Sequence, residues 1–73
     1  MKCFGYTKSD AETLAEFSEV TLHAKPEDLR RLASFLMKCA DEIDSDTDWE
    51  HEHLSDVSPC GTDEVDIIVF NEQ

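Results

Sequence analysis

The chain has 73 residues, of which 18 are acidic and six are basic, so its net charge at pH 7 is −12. A chain of this length forms one small domain with a thin core, and its acidity disfavours nucleic acids and anionic membranes as partners. No apolar run approaches the roughly 20 residues that span a bilayer, and no signal peptide is expected. Cys3, Cys39 and Cys60 lack C-x-x-C spacing, which predicts free thiols and a cytoplasmic location.

The first 24 residues predict two strands. Residues 2–7 form the first. Residues 14–24 are predicted as a longer second strand, because apolar and polar side chains alternate from residue 19 to residue 24. The alternation is out of phase before that point, so we expect a bulge near Ser18. The alternative is a helical turn over residues 10–16.

Residues 26–43 predict a long amphipathic helix. Pro26 suits the first helical position, where a backbone N–H is not needed. The apolar side chains fall within an arc of about 120°, flanked by Phe35 and Met37, with charged residues opposite. The arc contains Leu29, Leu32, Ala33, Leu36, Cys39, Ala40 and Ile43. We expect this arc to meet Val20 and Leu22 of the second strand and one face of the last strand in the core.

Two further strands are predicted at residues 49–54 and 65–70. Alternation places Trp49, His51 and His53 on one face of the first of them. The second is apolar on both faces, which is typical of a strand that is covered on both sides or lies under a partner.

The predicted order is β-β-α-β-β in a single α+β domain over residues 1–73. The simplest assembly is a four-stranded, mostly antiparallel sheet with the helix packed on one face. The last strand then places Ile67 and Val69 on one face and Ile68 and Phe70 on the other. The face that the helix leaves free is a natural interface for a partner or a second copy.

Acidic residues concentrate after the helix, where residues 44–73 contain ten acids and no Lys or Arg. Several crowd the helix C-terminus, whose dipole is already negative, and such uncompensated features tend to mark functional places. We therefore predict that this turn and the next strand bind a basic partner. The predicted contacts are Asp44, Asp46, Asp48, Trp49, His51 and His53. Trp49 is the expected anchor, because Trp is enriched among binding hot spots; the alternative is that it fills the core.

The H-x-H pair is the strongest candidate for metal chemistry. His51 and His53 share a strand face, and Asp48, Asp56 or Cys60 would complete a tetrahedral site. The simpler interpretation is that the imidazoles stack beside Trp49 on a sheet face and hydrogen-bond to nearby acids. We predict no metal, no cofactor and no catalytic residue, since no phosphate loop and no nucleophile with an evident base is present.

Three segments together resemble a known bacterial family. They are EVTLHAKPEDLRRLASFL at residues 19–36, WEHEHLSD at 49–56 and DIIVF at 66–70, with an acidic turn between the first two. The Trp followed by H-x-H-L is the most specific part. The chain thus resembles the immunity protein 32 family over about residues 3–70, although the Cys60-Gly61 loop matches nothing in the resemblance and stays unassigned.

The resemblance implies an α+β fold and a non-enzymatic protein that neutralises a cognate toxin encoded beside it. An acidic surface suits a basic toxin, for example a nuclease with a cationic active site. Two alternatives remain open. One is a structural or regulatory homodimer joined through the free sheet face, and the other is a metal-binding module that uses His51 and His53.

Overall fold

The computed structural model describes residues 1–57 and 65–72, which form one main helix and two small sheets. The elements are β1 (Cys3–Thr7), β2 (Asp10–Phe17), α1 (Pro26–Ser45), β3 (His51–His53), α2 (Leu54–Val57) and β4 (Ile68–Phe70). The predicted mixture of helix and strands is confirmed. The single four-stranded sheet is not, because β1 pairs with β2, and β3 pairs with β4, in separate antiparallel pairs.

β1 and β2 form a hairpin that is held by local contacts. A carboxylate oxygen of Asp10 accepts two backbone N–H groups at the start of β2. The ring of Phe17 lies over Gly5, where an added Cβ would come within 2.8 Å of the ring. The register irregularity of this pair lies between Gly5 and Thr7, so the bulge predicted near Ser18 is wrong.

The second strand lies earlier in the chain than predicted. β2 ends at Phe17, and residues 18–25 have no regular secondary structure. Val20 and Leu22, which were expected in the core, are 54% and 53% exposed. The alternation of side chains shows only which residues are apolar. A strand also needs a neighbouring strand whose backbone groups hydrogen-bond to its own. Among the described residues, no strand pairs with this segment. The alternative of a helical turn over residues 10–16 is also wrong.

α1 begins where the sequence predicts and ends two residues later. Lys25 is extended, as expected before a proline, and its amide donates to Oδ2 of Asp28 (3.3 Å). At the other end the amide of Asp46 donates to the carbonyl of Glu42 (2.9 Å), which completes the last turn.

The core lies between one edge of α1 and the β3–β4 sheet. Its buried side chains are Phe35, Cys39 and Leu54, and the partly buried side chains packed on them are Leu32, Trp49, Ile67 and Val69. Leu29 and Leu36, expected at the centre of the core, are each 45% exposed. In the described part of the chain, a single small sheet packs on the helix. It covers one edge of the apolar arc, so Phe35, which flanks the arc, lies at the centre of the core.

The last two strands are shorter than predicted, and for the final strand the predicted grouping of side chains by face is confirmed. Leu54 leaves the strand and starts α2, where its amide donates to the carbonyl of Ile67 (2.8 Å). Val69 turns inward with Ile67, whereas Ile68 and Phe70 are 46% and 68% exposed. The Cys60-Gly61 loop lies outside the described residues.

None of the helices in the described ranges has the length and apolar character needed to cross a membrane.

Candidate functional site

The acidic helix end is the C-terminus of α1 and the turn that follows it. We define it by Asp41, Glu42, Asp44, Asp46 and Asp48. The last turn of the helix contains no basic residue, so nothing in it balances the negative end of the helix dipole.

Hydrogen bonds between backbone groups and short polar side chains, with one between two backbone groups, order this turn. The amide of Asp48 donates to Oδ1 of Asp46 (3.0 Å), and the amide of Trp49 donates to the carbonyl of Asp46 (3.1 Å). The hydroxyl of Ser45 donates to the carbonyl of Asp41 (3.1 Å). The carboxylates therefore project from an ordered scaffold, which lowers the entropy that a partner would lose on binding.

Asn71 ties the acidic helix end to the far end of the chain. Its side-chain amide donates to the carbonyl of Trp49 (3.0 Å), and its backbone amide donates to the carbonyl of Glu50 (2.9 Å). Sequence reasoning missed this residue, because nothing in the local pattern shows that a residue 22 positions away will meet Trp49.

Glu42 is the one acid of the group that is neutralised locally. Nζ of Lys38 lies 2.8 Å from Oε2 of Glu42 and 3.5 Å from Oε1 of Glu52. The indole N–H of Trp49 donates to Oε1 of Glu42 (2.9 Å). The Lys38 ammonium and the indole together hold the pKa of Glu42 below its usual value. This glutamate thus orients Trp49 rather than offering a free charge.

The other four acids keep their charges available. In the described part of the chain, no ion pair involves Asp41, Asp44, Asp46 or Asp48. Beside Trp49 the surface forms an open depression of about 390 Å³, lined by Asp41, Glu42, Ser45, Asp46 and Trp49. The free carboxylates of Asp41 and Asp46, together with the indole, suit the side chain of a Lys or Arg.

The outer face of the β3–β4 sheet is the second surface at this end. The ring of His51 stacks on Phe70 with centroids 4.7 Å apart, and it meets His53 edge-on at 5.6 Å. Ile68 completes the face opposite His53. Trp49 does not share this face, contrary to prediction: the strand begins only at His51, and the indole packs on the core from the helix side.

A comparison with known families matches residues 19–72 to the family described as immunity protein 32. This is most of the chain. The chain belongs to the immunity protein 32 family. Comparisons with curated proteins and with solved structures find no significant match.

The family match contains α1, the acidic helix end and both strands of the second sheet, but not the β1–β2 hairpin. The resemblance read from the sequence extended further, to about residue 3. All six predicted contact residues lie inside the match, and the hairpin outside it offers sites for control substitutions.

The structure places the six predicted residues on two adjoining surfaces. Asp44, Asp46 and Asp48 are exposed at the acidic helix end, Trp49 is half-buried behind them, and His51 and His53 lie on the outer sheet face. Trp49 is two residues from His51, a separation of at most about 7 Å, so one partner can reach both surfaces. Contact of these residues with a partner stays a prediction.

Among the described residues, no three His, Cys, Asp or Glu side chains are grouped to hold a metal ion. Cys60, one predicted ligand, lies outside those residues. His51 and His53 instead contact neighbouring side chains. His51 stacks on Phe70 rather than beside Trp49, and Nδ1 of His53 lies 2.7 Å from Oδ2 of Asp66. The simpler interpretation is therefore correct about the nearby acid and wrong about Trp49.

The pair of His53 and Asp66 makes stability depend on pH. The hydrogen bond to Asp66 raises the pKa of His53. Partial burial raises the pKa of Asp66, but hydrogen bonds from His53 and from the Ser55 amide outweigh it, so the net pKa is lowered. The contribution of His53 to the free energy of unfolding is complete below the pKa of about 6.5 that it has in the unfolded chain. It is lost as the pH rises through the higher pKa of the folded state. The aspartate contribution is lost only in acid below about pH 4.

We therefore expect the pair to stabilise the protein more at about pH 5.5 than at about pH 8. The measurement is the melting temperature of wild type and of Asp66→Asn at both pH values. The difference between the two proteins should be larger at the lower pH. An equal difference at both pH values would show that the pair does not titrate in this range.

Proposed function

We propose that this immunity protein binds and neutralises a cognate basic toxin through the acidic helix end. It acts by occupying the toxin surface rather than by catalysis. A nuclease is the toxin class that fits best, because a nuclease active site is cationic and an acidic surface imitates the phosphates that it binds.

The observation that carries this proposal is a set of four carboxylates at a helix terminus that have no ion-pair partner among the described residues and that the helix dipole disfavours. Each acid near a helix C-terminus is mildly destabilising. In this chain Asp41, Asp44, Asp46 and Asp48 have no basic residue beside them in the last turn. A bound cationic surface would supply the missing counter-charge and would also favour rapid, steered association.

Trp49 and the adjoining sheet face supply the apolar part of the proposed interface. The depression beside the indole accepts one basic side chain of the toxin, where the ring face and Asp46 hold its charge. His51 and His53 extend the contact onto the outer sheet face. We place the interface in the part of the chain that also contains most of the negative charge, which is −10 for residues 44–73.

The first experiment tests neutralisation directly. The gene adjacent to that of this protein is expressed alone and together with it, and growth is recorded. We expect the neighbour to arrest growth and this protein to restore it. Growth arrest that this protein does not relieve, with no complex between the two purified proteins, would reject the proposed function.

The second experiment tests the surface. Asp46→Asn with Asp48→Asn removes two charges but keeps the side-chain oxygen that accepts the Asp48 amide. We expect the association rate at low salt to fall about three- to tenfold, and its salt dependence to flatten. The matched control is Glu12→Gln with Glu16→Gln on β2, which removes the same charge from the hairpin outside the family match. Equal rates for both double variants would place the toxin elsewhere.

A further inference from the structure

α1 carries an apolar stripe that the other described residues leave partly exposed. The helix stripe, as we define it, consists of Leu29, Ala33, Leu36, Met37 and Ala40. Leu29 and Leu36 are each 45% exposed and Met37 is 64% exposed. At 100° per residue these side chains lie within about 100° of one another, beside the edge that contacts the core. Half of the apolar arc predicted from the sequence therefore faces outward.

The spacing of the stripe is that of a helix which packs along another helix. Within the stripe, Leu29, Ala33, Leu36 and Ala40 are separated by four, three and four residues, the spacing of a heptad seam. Leucine alternates with alanine along it. The alanines let a second helix approach closely, and the leucines fill the space between.

Charge along the edge of the stripe favours an antiparallel neighbour of the same sequence. One edge of the stripe is formed by three residues spaced seven apart, which are Arg30, Met37 and Asp44. The basic Arg30 lies near the start of the helix, and the acidic Asp44 lies near its end. In an antiparallel pair of α1 helices, each Arg30 lies near the Asp44 of the other copy, and the two Met37 side chains meet at the centre. A parallel pair would oppose like charges.

The charge of the helix region is also compatible with such a neighbour. Residues 25–43 contain four bases and four acids, so this part of the surface does not repel a second copy.

We propose that the helix stripe is the interface of a homodimer in which two α1 helices pack antiparallel. This differs from a dimer through the free sheet face, which would bring together two segments that each carry a charge of −10 and would repel. The helix dimer leaves the outer sheet face free and, of the four acids proposed to bind the toxin, it pairs only Asp44 with a base. The inference does not rest on the proposed toxin binding, and its test uses the purified protein alone.

The first test is the mass of the protein in solution by sedimentation. We expect twice the chain mass of 8.3 kDa at micromolar concentrations and above. Met37→Glu should raise the dimer dissociation constant at least tenfold. The control is Phe70→Glu, which adds the same charge at a side chain of similar exposure, 68%, on the outer sheet face. It should leave the dimer intact, with circular dichroism confirming that both variants are folded.

The second test fixes the orientation by charge reversal. Arg30→Glu or Asp44→Arg alone turns two attractions into two repulsions, and we expect each to weaken the dimer about fivefold or more. The double variant restores an opposite pair only in an antiparallel dimer and should recover most of the affinity. A monomer at all concentrations, a dimer broken by Phe70→Glu but not by Met37→Glu, or no recovery in the double variant would overturn the proposal.

Discussion

Replacing Phe35 with alanine is expected to lower the free energy of unfolding by about 3–5 kcal/mol. Phe35 is 3% exposed and lies at the centre of the buried cluster with Cys39 and Leu54. A domain of this size has only about 4–11 kcal/mol of stability in total. We therefore expect the Phe35→Ala protein to be largely unfolded at moderate temperature, as measured by urea denaturation followed by circular dichroism.

Leu22→Ala is the matched control for this substitution. Leu22 is 53% exposed in a segment without regular structure, so its loss should cost less than about 1 kcal/mol. Equal losses at the two positions would show that the core is not on the Phe35 edge of α1. If Leu22→Ala alone were destabilising, the arrangement predicted from the alternation of residues 19–24 would be the better description.

Trp49→Ala is expected to reduce both stability and toxin binding. The indole packs on the buried cluster and donates to Glu42, so its removal should cost about 2 kcal/mol of folding free energy for a half-buried side chain. As the proposed anchor, it should also contribute about 2 kcal/mol or more to binding. This is a loss of roughly 30-fold in affinity for the cognate toxin.

The two effects of Trp49 are separated by a second core substitution. Leu32 packs on the same cluster but is not among the residues at the depression beside the acidic helix end. Leu32→Ala should destabilise the fold while leaving the affinity of the folded fraction unchanged. The affinity of folded Trp49→Ala protein for the toxin, measured by titration calorimetry, shows whether Trp49 contributes to binding as well as to the core. If it equals the affinity of Leu32→Ala, Trp49 serves the core alone.

Local rules predicted the helix correctly and grouped the side chains of the last strand correctly. Pro26 and the pattern of charges placed the start of α1, and alternation put Ile67 on the same face as Val69, the face that the fold turns inward. They failed where a distant partner was needed. Val20 and Leu22 alternate like a strand but have no neighbouring strand within the described residues, and the two strand pairs did not join into one sheet.

The candidate site shows the same division. Its acidic character and its position at the end of a helix follow from sequence, because charge and helix periodicity are local properties. The roles of the individual residues in the site do not follow from the sequence. Glu42 appears as one acid among several until the fold brings the Trp49 indole to 2.9 Å from it, and Asp66 appears unremarkable until it meets His53.

The sequence by itself determined the amphipathic helix, the concentration of acid after it and the similarity to an immunity family, since each is written in residue types and their spacing. Only the tertiary structure decided which edge of the helix is buried. An apolar arc can pack with either edge, and the choice depends on the size and position of the sheet that meets it. Here a two-stranded sheet covers the Phe35 and Cys39 edge and leaves Leu29, Leu36 and Met37 exposed.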